Sequence, residues 1–156
     1  MAVHKPIIFD SARLKRLPDG DVVEGAATIA ELQNREASAI VIGNPVYHDT
    51  IGVKKGLADD LTTAQVIGLV IDESIAASAI GKIQCDGKVV ATTTQWNAIV
   101  GGGAGLSPGK MYYLDPLTAG MMTISAPIDV GDVVTPIGKA ISSTELLLTL
   151  KHTVGL

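Results

Sequence analysis

About ten short apolar or alternating segments, spaced near ten residues apart and separated by Gly, Pro, Asn and Asp, run through this chain. Seventeen glycines and seven prolines suit strands joined by tight turns better than a few long helices, because each turn needs residues that tolerate its backbone geometry. With five aromatic residues in total, small β-branched side chains must fill the interior. The expected fold is all-β, a small barrel or sandwich of about ten short strands.

The 156 residues are enough for one domain, and a chain of this size hides roughly 70% of its unfolded surface on folding. Residues 26–156 read as that single β-rich domain. Residues 1–25 read as an extended N-terminal arm, with one apolar cluster (Ile7, Ile8, Phe9), one basic cluster (Arg13, Lys15, Arg16) and the turn Pro18-Asp-Gly20. The competing reading is an ordinary first strand followed by a solvated basic turn.

Within the domain, Pro45-Val-Tyr-His-Asp49 and Ile51-Gly-Val-Lys-Lys-Gly-Leu57 read as a hairpin with the lysines at its rim. Val66-Ile-Gly-Leu-Val-Ile71 is continuously apolar, as expected of a strand buried on both faces at the centre of the core, with Gly68 allowing a bend or close approach. Asp86-Gly87 predicts a two-residue hairpin turn joining Lys82–Cys85 to Lys88–Thr92. Ala58–Gln65 is the best helical candidate, and Thr94–Val100 reads as another strand or a short helical turn. Lys110–Leu114, Met121–Ser125, Val133–Ala140 and Glu145–Lys151 complete the strands.

The charge balance sets aside one class of partner. A formal charge of −4 argues against a surface that neutralises phosphates, so nucleic acid is not an expected partner. Cys85 stands alone, which excludes an internal disulfide and a cysteine-based metal cluster and suits a reducing cytosol. The apolar run after Met1–Lys5 is too short for export or for spanning a membrane.

Chemistry-bearing residues do not assemble into a recognisable motif. Gly101-Gly-Gly-Ala-Gly105 resembles a phosphate cradle only superficially, because a Leu-Ser-Pro-Gly turn follows it instead of Gly-Lys-Ser/Thr and a helix. His4, His48 and His152 have no metal-ligand spacing, and Asp59-Asp60 and Asp72-Glu73 suit a solvated rim. No serine sits in a nucleophile elbow. We therefore expect no catalytic residues, cofactor or metal. Of the neighbouring Tyr112 and Tyr113, one ring should enter the core and the other face outward, where Tyr113 is the expected partner contact; Trp96 has the same two options.

Gly105-Leu-Ser-Pro-Gly-Lys-Met-Tyr-Tyr-Leu-Asp-Pro-Leu-Thr-Ala-Gly120 followed by Ile137-Gly-Lys-Ala-Ile-Ser-Ser-Thr-Glu-Leu-Leu-Leu148 resembles the C-terminal β-module of tailed-phage virion proteins. Gly43-Asn-Pro-Val-Tyr47, Gly52-Val53, Leu57-Ala58, Ala64-Gln-Val-Ile-Gly-Leu69 and Val89-Val-Ala-Thr-Thr-Thr-Gln-Trp96 are similar, in the same order, to small phage head decoration proteins. The resemblance covers roughly residues 39–150 and implies a virion protein, made in the infected bacterium, that stabilises the capsid from outside. It implies the major capsid protein and further copies of itself as partners, as a homotrimer or a dimer. The arm, through Ile7, Ile8 and Phe9, would then add a strand to a capsid-protein sheet, with Arg13, Lys15 and Arg16 meeting acidic surface. A tail or fibre component with a related β-module is the alternative, and an enzyme using the glycine-rich loop ranks last.

Overall fold

Two groups of strands divide the buried side chains between them. The computed structural model describes residues 7–10, 13–16, 27–150 and 154–156. In chain order the elements are β1 (Ile7–Asp10), β2 (Arg13–Arg16), β3 (Ile29–Asn34), β4 (Ile40–Val41), β5 (Pro45–Asp49), β6 (Gly52–Lys55), β7 (Val66–Val70), β8 (Ser74–Ile75), β9 (Ile80–Gln84) and β10 (Lys88–Val90). They continue with α1 (Thr93–Val100), β11 (Met111–Leu114), β12 (Met122–Thr123), β13 (Val133–Val134), β14 (Pro136–Ala140), β15 (Glu145–Leu148) and β16 (Val154–Gly155). Among the described residues the protein is all-β apart from one short helix, as expected.

The first group is a closed barrel in the order β3-β6-β5-β7-β9. Its neighbours are antiparallel except β3 and β6, which run parallel and pair Asn34 with Val53. Val46, Val53, Val70 and Ile83 form its buried cluster together with Ile40 and Ile75 from the short β4–β8 ladder. Since side chains alternate along a strand, the residue before Val70 must point the other way. Leu69 accordingly packs in the second, larger cluster. The apolar run at β7 is thus buried on both faces, and a Cβ at Gly68 would run into the carbonyl oxygen of Gln84.

The second group is a five-stranded sheet, β10-β15-β14-β11-β12. Tyr112, Leu114, Ile137, Leu146 and Leu148 face its core, where Trp96 and Ile99 of α1 join them. Buried polar side chains lace the groups together: Asn44 Nδ2 donates to Gly120 O at 2.9 Å, and Thr135 Oγ1 donates to Ala64 O at 3.2 Å. Among the described residues no buried side-chain nitrogen or oxygen lacks a partner, which is what a uniquely packed core requires.

Several local expectations need correction. Ala58–Gln65 forms turns, not a helix: Thr63 Oγ1 donates to Leu57 O, and Asp60 Oδ1 accepts from Thr62 N, so side chains divert the backbone from helical pairing. The helix lies at α1 instead. The Asp86-Gly87 turn exists, with Gly87 at φ +75°, but it does not close a hairpin. It carries the chain from β9 in the barrel to β10, which pairs with β15. Gln84 Nε2 holds that turn by donating to the carbonyls of Asp86 and Lys88.

Val133–Ala140 is two strands, β13 paired with β16 and β14 paired with β11 and β15, separated at the buried Thr135. At the N-terminal end, β1 and β2 pair antiparallel, with Ile7 opposite Arg16 and Asp10 opposite Arg13. The extended backbone expected of the arm therefore includes a small hairpin. Pro18-Asp-Gly20, His4 and His152 lie outside the described residues.

Candidate interaction surfaces

The residues singled out as partner contacts fall on two different sheets. Ile7, Ile8, Phe9, Arg13, Lys15 and Arg16 occupy the β1–β2 hairpin, where alternation and register put positions 7, 9, 14 and 16 on one face and 8, 10, 13 and 15 on the other. Tyr113 sits on β11. A break in the β11–β14 register between Tyr112 and Tyr113 accompanies their divergence. Tyr112 is buried, and its hydroxyl accepts a hydrogen bond from Ser107 N at 2.8 Å. Tyr113 is half-buried, opposite Thr123 of β12.

Register places Val90, Leu147, Lys139 and Met111 on the outer face of this sheet with Tyr113. Lys88 and Glu145 pair there at 2.7 Å, and the lysine holds the Glu145 carboxyl below its ordinary range. Trp96 takes the core option: it is fully buried, and its Nε1 donates to Thr144 O at 2.9 Å.

The glycine-rich loop has a structural role that the sequence pattern did not expose. Gly101 caps the carboxyl end of α1 in the left-handed conformation, and its N–H donates to Asn97 O. Asn97 Oδ1 then accepts from Gly105 N at 2.7 Å, so the helix folds the loop back on itself. A helix presents partial negative charge at this end, which disfavours phosphate. The loop borders a cavity of about 370 Å³ that also touches Tyr112, Asp115 and Met121. A shallower, mainly apolar groove of about 290 Å³ lies between Val41, Ile42 and the α1 residues Thr94, Gln95 and Ala98.

Acidic and imidazole groups are dispersed or occupied. Among the described residues, no cluster of three or more His, Cys, Asp or Glu is placed to hold a metal ion. His48 is exposed, Asp60 and Asp72 accept backbone hydrogen bonds from Thr62 and Lys82, and Asp59 accepts from Thr63. Cys85 is partly buried, and that burial, helped by neighbouring Asp86, pushes its thiol up.

Sequence reasoning missed a surface around β13 and β16. Ile128 and Val130 are 86% and 97% exposed, and Leu61, Val154 and Leu156 are also more than half exposed. Backbone bonds from Gly131 N to Leu156 O and from Leu156 N to Asp132 O join the turn to the strand end. Gly155 approaches Leu61. The available signal was Ile128-Asp-Val130 between Pro127 and Gly131, apolar residues in a turn where polar ones are usual.

No family model matches the chain, and the searches of curated proteins and of solved structures returned no match.

Proposed function

We propose that the protein is a structural component of a phage head that binds the outer surface of the capsid and stabilises the lattice of major capsid protein. The observation that carries its protein-binding character is the set of large apolar side chains left in solvent, Val130, Leu117 and Ile128 foremost, on a body in which no buried side-chain nitrogen or oxygen of the described residues lacks a hydrogen-bond partner. Concentrations of exposed apolar side chains are characteristic of surfaces that meet other proteins. The phage-head assignment comes from the ordered sequence phrases between residues 39 and 150.

Such a protein works by differential affinity. It binds the assembled lattice better than loose subunits, so occupancy shifts the equilibrium toward the intact shell. Shallow contacts from several copies in one oligomer, a trimer or a dimer, add through avidity. The hairpin residues Ile7, Ile8, Phe9, Arg13, Lys15 and Arg16 reach a neighbouring protein of the shell, and Tyr113 contributes a rigid half-exposed ring.

Co-sedimentation with mature capsids of the phage carrying the gene tests this reading. The intact chain should pellet with capsids, and a chain lacking residues 2–17 should pellet far less while retaining its folded circular-dichroism spectrum. No co-sedimentation of the intact chain would refute the assignment, and equal pelleting of the two chains would remove the arm from it.

A further inference from the structure

The exposed surface around β13 and β16 has a specific chemistry. Its five apolar side chains, Leu61, Ile128, Val130, Val154 and Leu156, lie on segments held together by the Gly131–Leu156 and Leu156–Asp132 backbone bonds. Among the described residues its flanking turns are acidic: residues 57–64 and 128–134 contain Asp59, Asp60, Asp129 and Asp132 and no lysine or arginine. Val133 N donates to Ala58 O at 2.8 Å, which fixes the two acidic segments side by side. Two such surfaces would repel each other, so the fitting partner is both apolar and basic.

The chain itself carries a segment of that description. Residues 7–16 hold three basic residues against one acidic, whereas residues 27–156 hold eight against twelve, so the chain's entire formal charge of −4 resides in the latter. The β1–β2 register pairs Ile7 with Arg16 and Phe9 with Leu14, so strand alternation assigns positions 7, 9, 14 and 16 to one face, three of them apolar and one basic by sequence. A two-stranded hairpin of this length is marginal by itself in water and gains stability by covering its apolar face.

We propose that the β1–β2 hairpin of one copy docks on the β13–β16 surface of a second copy, with Ile7, Phe9 and Leu14 covering Ile128, Val130 and Leu156 and the basic residues meeting the aspartates. Exchange of hairpins closes into a ring of two or three copies, and it offsets the repulsion between bodies of like charge. This names the neighbour of the arm as another copy of the same chain. It deepens the reading that the protein acts as an oligomer on a shell, yet it requires no capsid for its test.

Sedimentation velocity on four samples without capsid decides it: the full chain, its Phe9→Asp variant, its Val130→Asp variant, and the two variants mixed. Position 130 is almost wholly exposed, so its substitution leaves the fold intact, which circular dichroism of each variant checks. The full chain should associate, with loss of association at high salt. Each variant alone should be monomeric, and the mixture should regain a dimer, because one variant keeps a sound surface and the other a sound hairpin. A monomeric full chain, association that survives Val130→Asp, or a mixture that stays monomeric would overturn the proposal. Capsid binding measured in parallel separates these outcomes from failure of the capsid assignment.

Discussion

Asn34 shows how a single buried polar side chain can organise a β-protein. It is fully buried at the end of β3, and its Nδ2 donates to the carbonyls of Ser38 and Ile75 at 2.9 Å and Ala76 at 3.2 Å. Its Oδ1 accepts from Glu36 N at 2.8 Å. Asn34→Ala strands those groups without water, and we expect a loss of roughly 3 kcal/mol, measured as a shift in the urea midpoint at unchanged slope. A loss below about 1 kcal/mol would mean that solvent reaches the site. Nothing in the sequence marks Asn34 as different from other asparagines, because two of the carbonyls that hold it in the core, those of Ile75 and Ala76, come from about forty positions away. Tyr112 and Tyr113, in contrast, were legible as one inward and one outward ring, since strand alternation is a local rule.

At the level of elements, local signals succeeded where pairing was local and failed where it was not. The β5–β6 hairpin and the doubly buried β7 follow from turn residues and apolar runs. The Asp86-Gly87 turn could not reveal that its two strands belong to different sheets, because β10 pairs with β15, more than fifty positions further along the chain, as the 57-residue separation of the Lys88–Glu145 bond shows. The start of α1 was readable in retrospect from Thr92-x-x-Gln95, a capping box in which Thr92 Oγ1 accepts from Gln95 N and Gln95 Oε1 accepts from Thr92 N. Thr92→Ala should cost about 1 kcal/mol, a fall of about 2–4 °C in the midpoint of thermal unfolding. An unchanged midpoint would show that packing of Trp96 and Ile99 alone holds the helix.

The turn between β9 and β10 also gives a pH dependence. Hydrogen bonds from Thr28 N and Thr28 Oγ1 hold the Asp86 carboxyl below its ordinary value. A depressed folded pKa contributes stability that is present above the unfolded pKa and is lost as pH falls through the folded one. Asp86→Asn should therefore flatten the decline of stability at the acid end, read from urea midpoints across that range. Parallel profiles for the two proteins would show that the Thr28 tether contributes nothing.

For the whole molecule, the decisive feature is the contrast between a saturated interior and an unsaturated exterior. Barrel strand β7 sends Val70 into one buried cluster and Leu69 into the other, Asn44 and Thr135 staple the two groups of strands, and no described buried side-chain polar atom is unpaired. Apolar side chains nonetheless remain in solvent at β16 and in the turn that precedes β13. The all-β class, as a barrel or a sandwich, was legible from turn spacing, whereas the choice between the two was not, because closure depends on the parallel β3–β6 pairing that no local pattern encodes. Sequence phrases supply the proposed phage-head reading, and the proposed attachment would use these exposed side chains. The most direct test of that account is the temperature at which capsids of the cognate phage, stripped of this protein, break open with and without it added back. Stabilisation of the lattice predicts a rise in that temperature that saturates as sites fill; an unchanged temperature at saturating protein would contradict it.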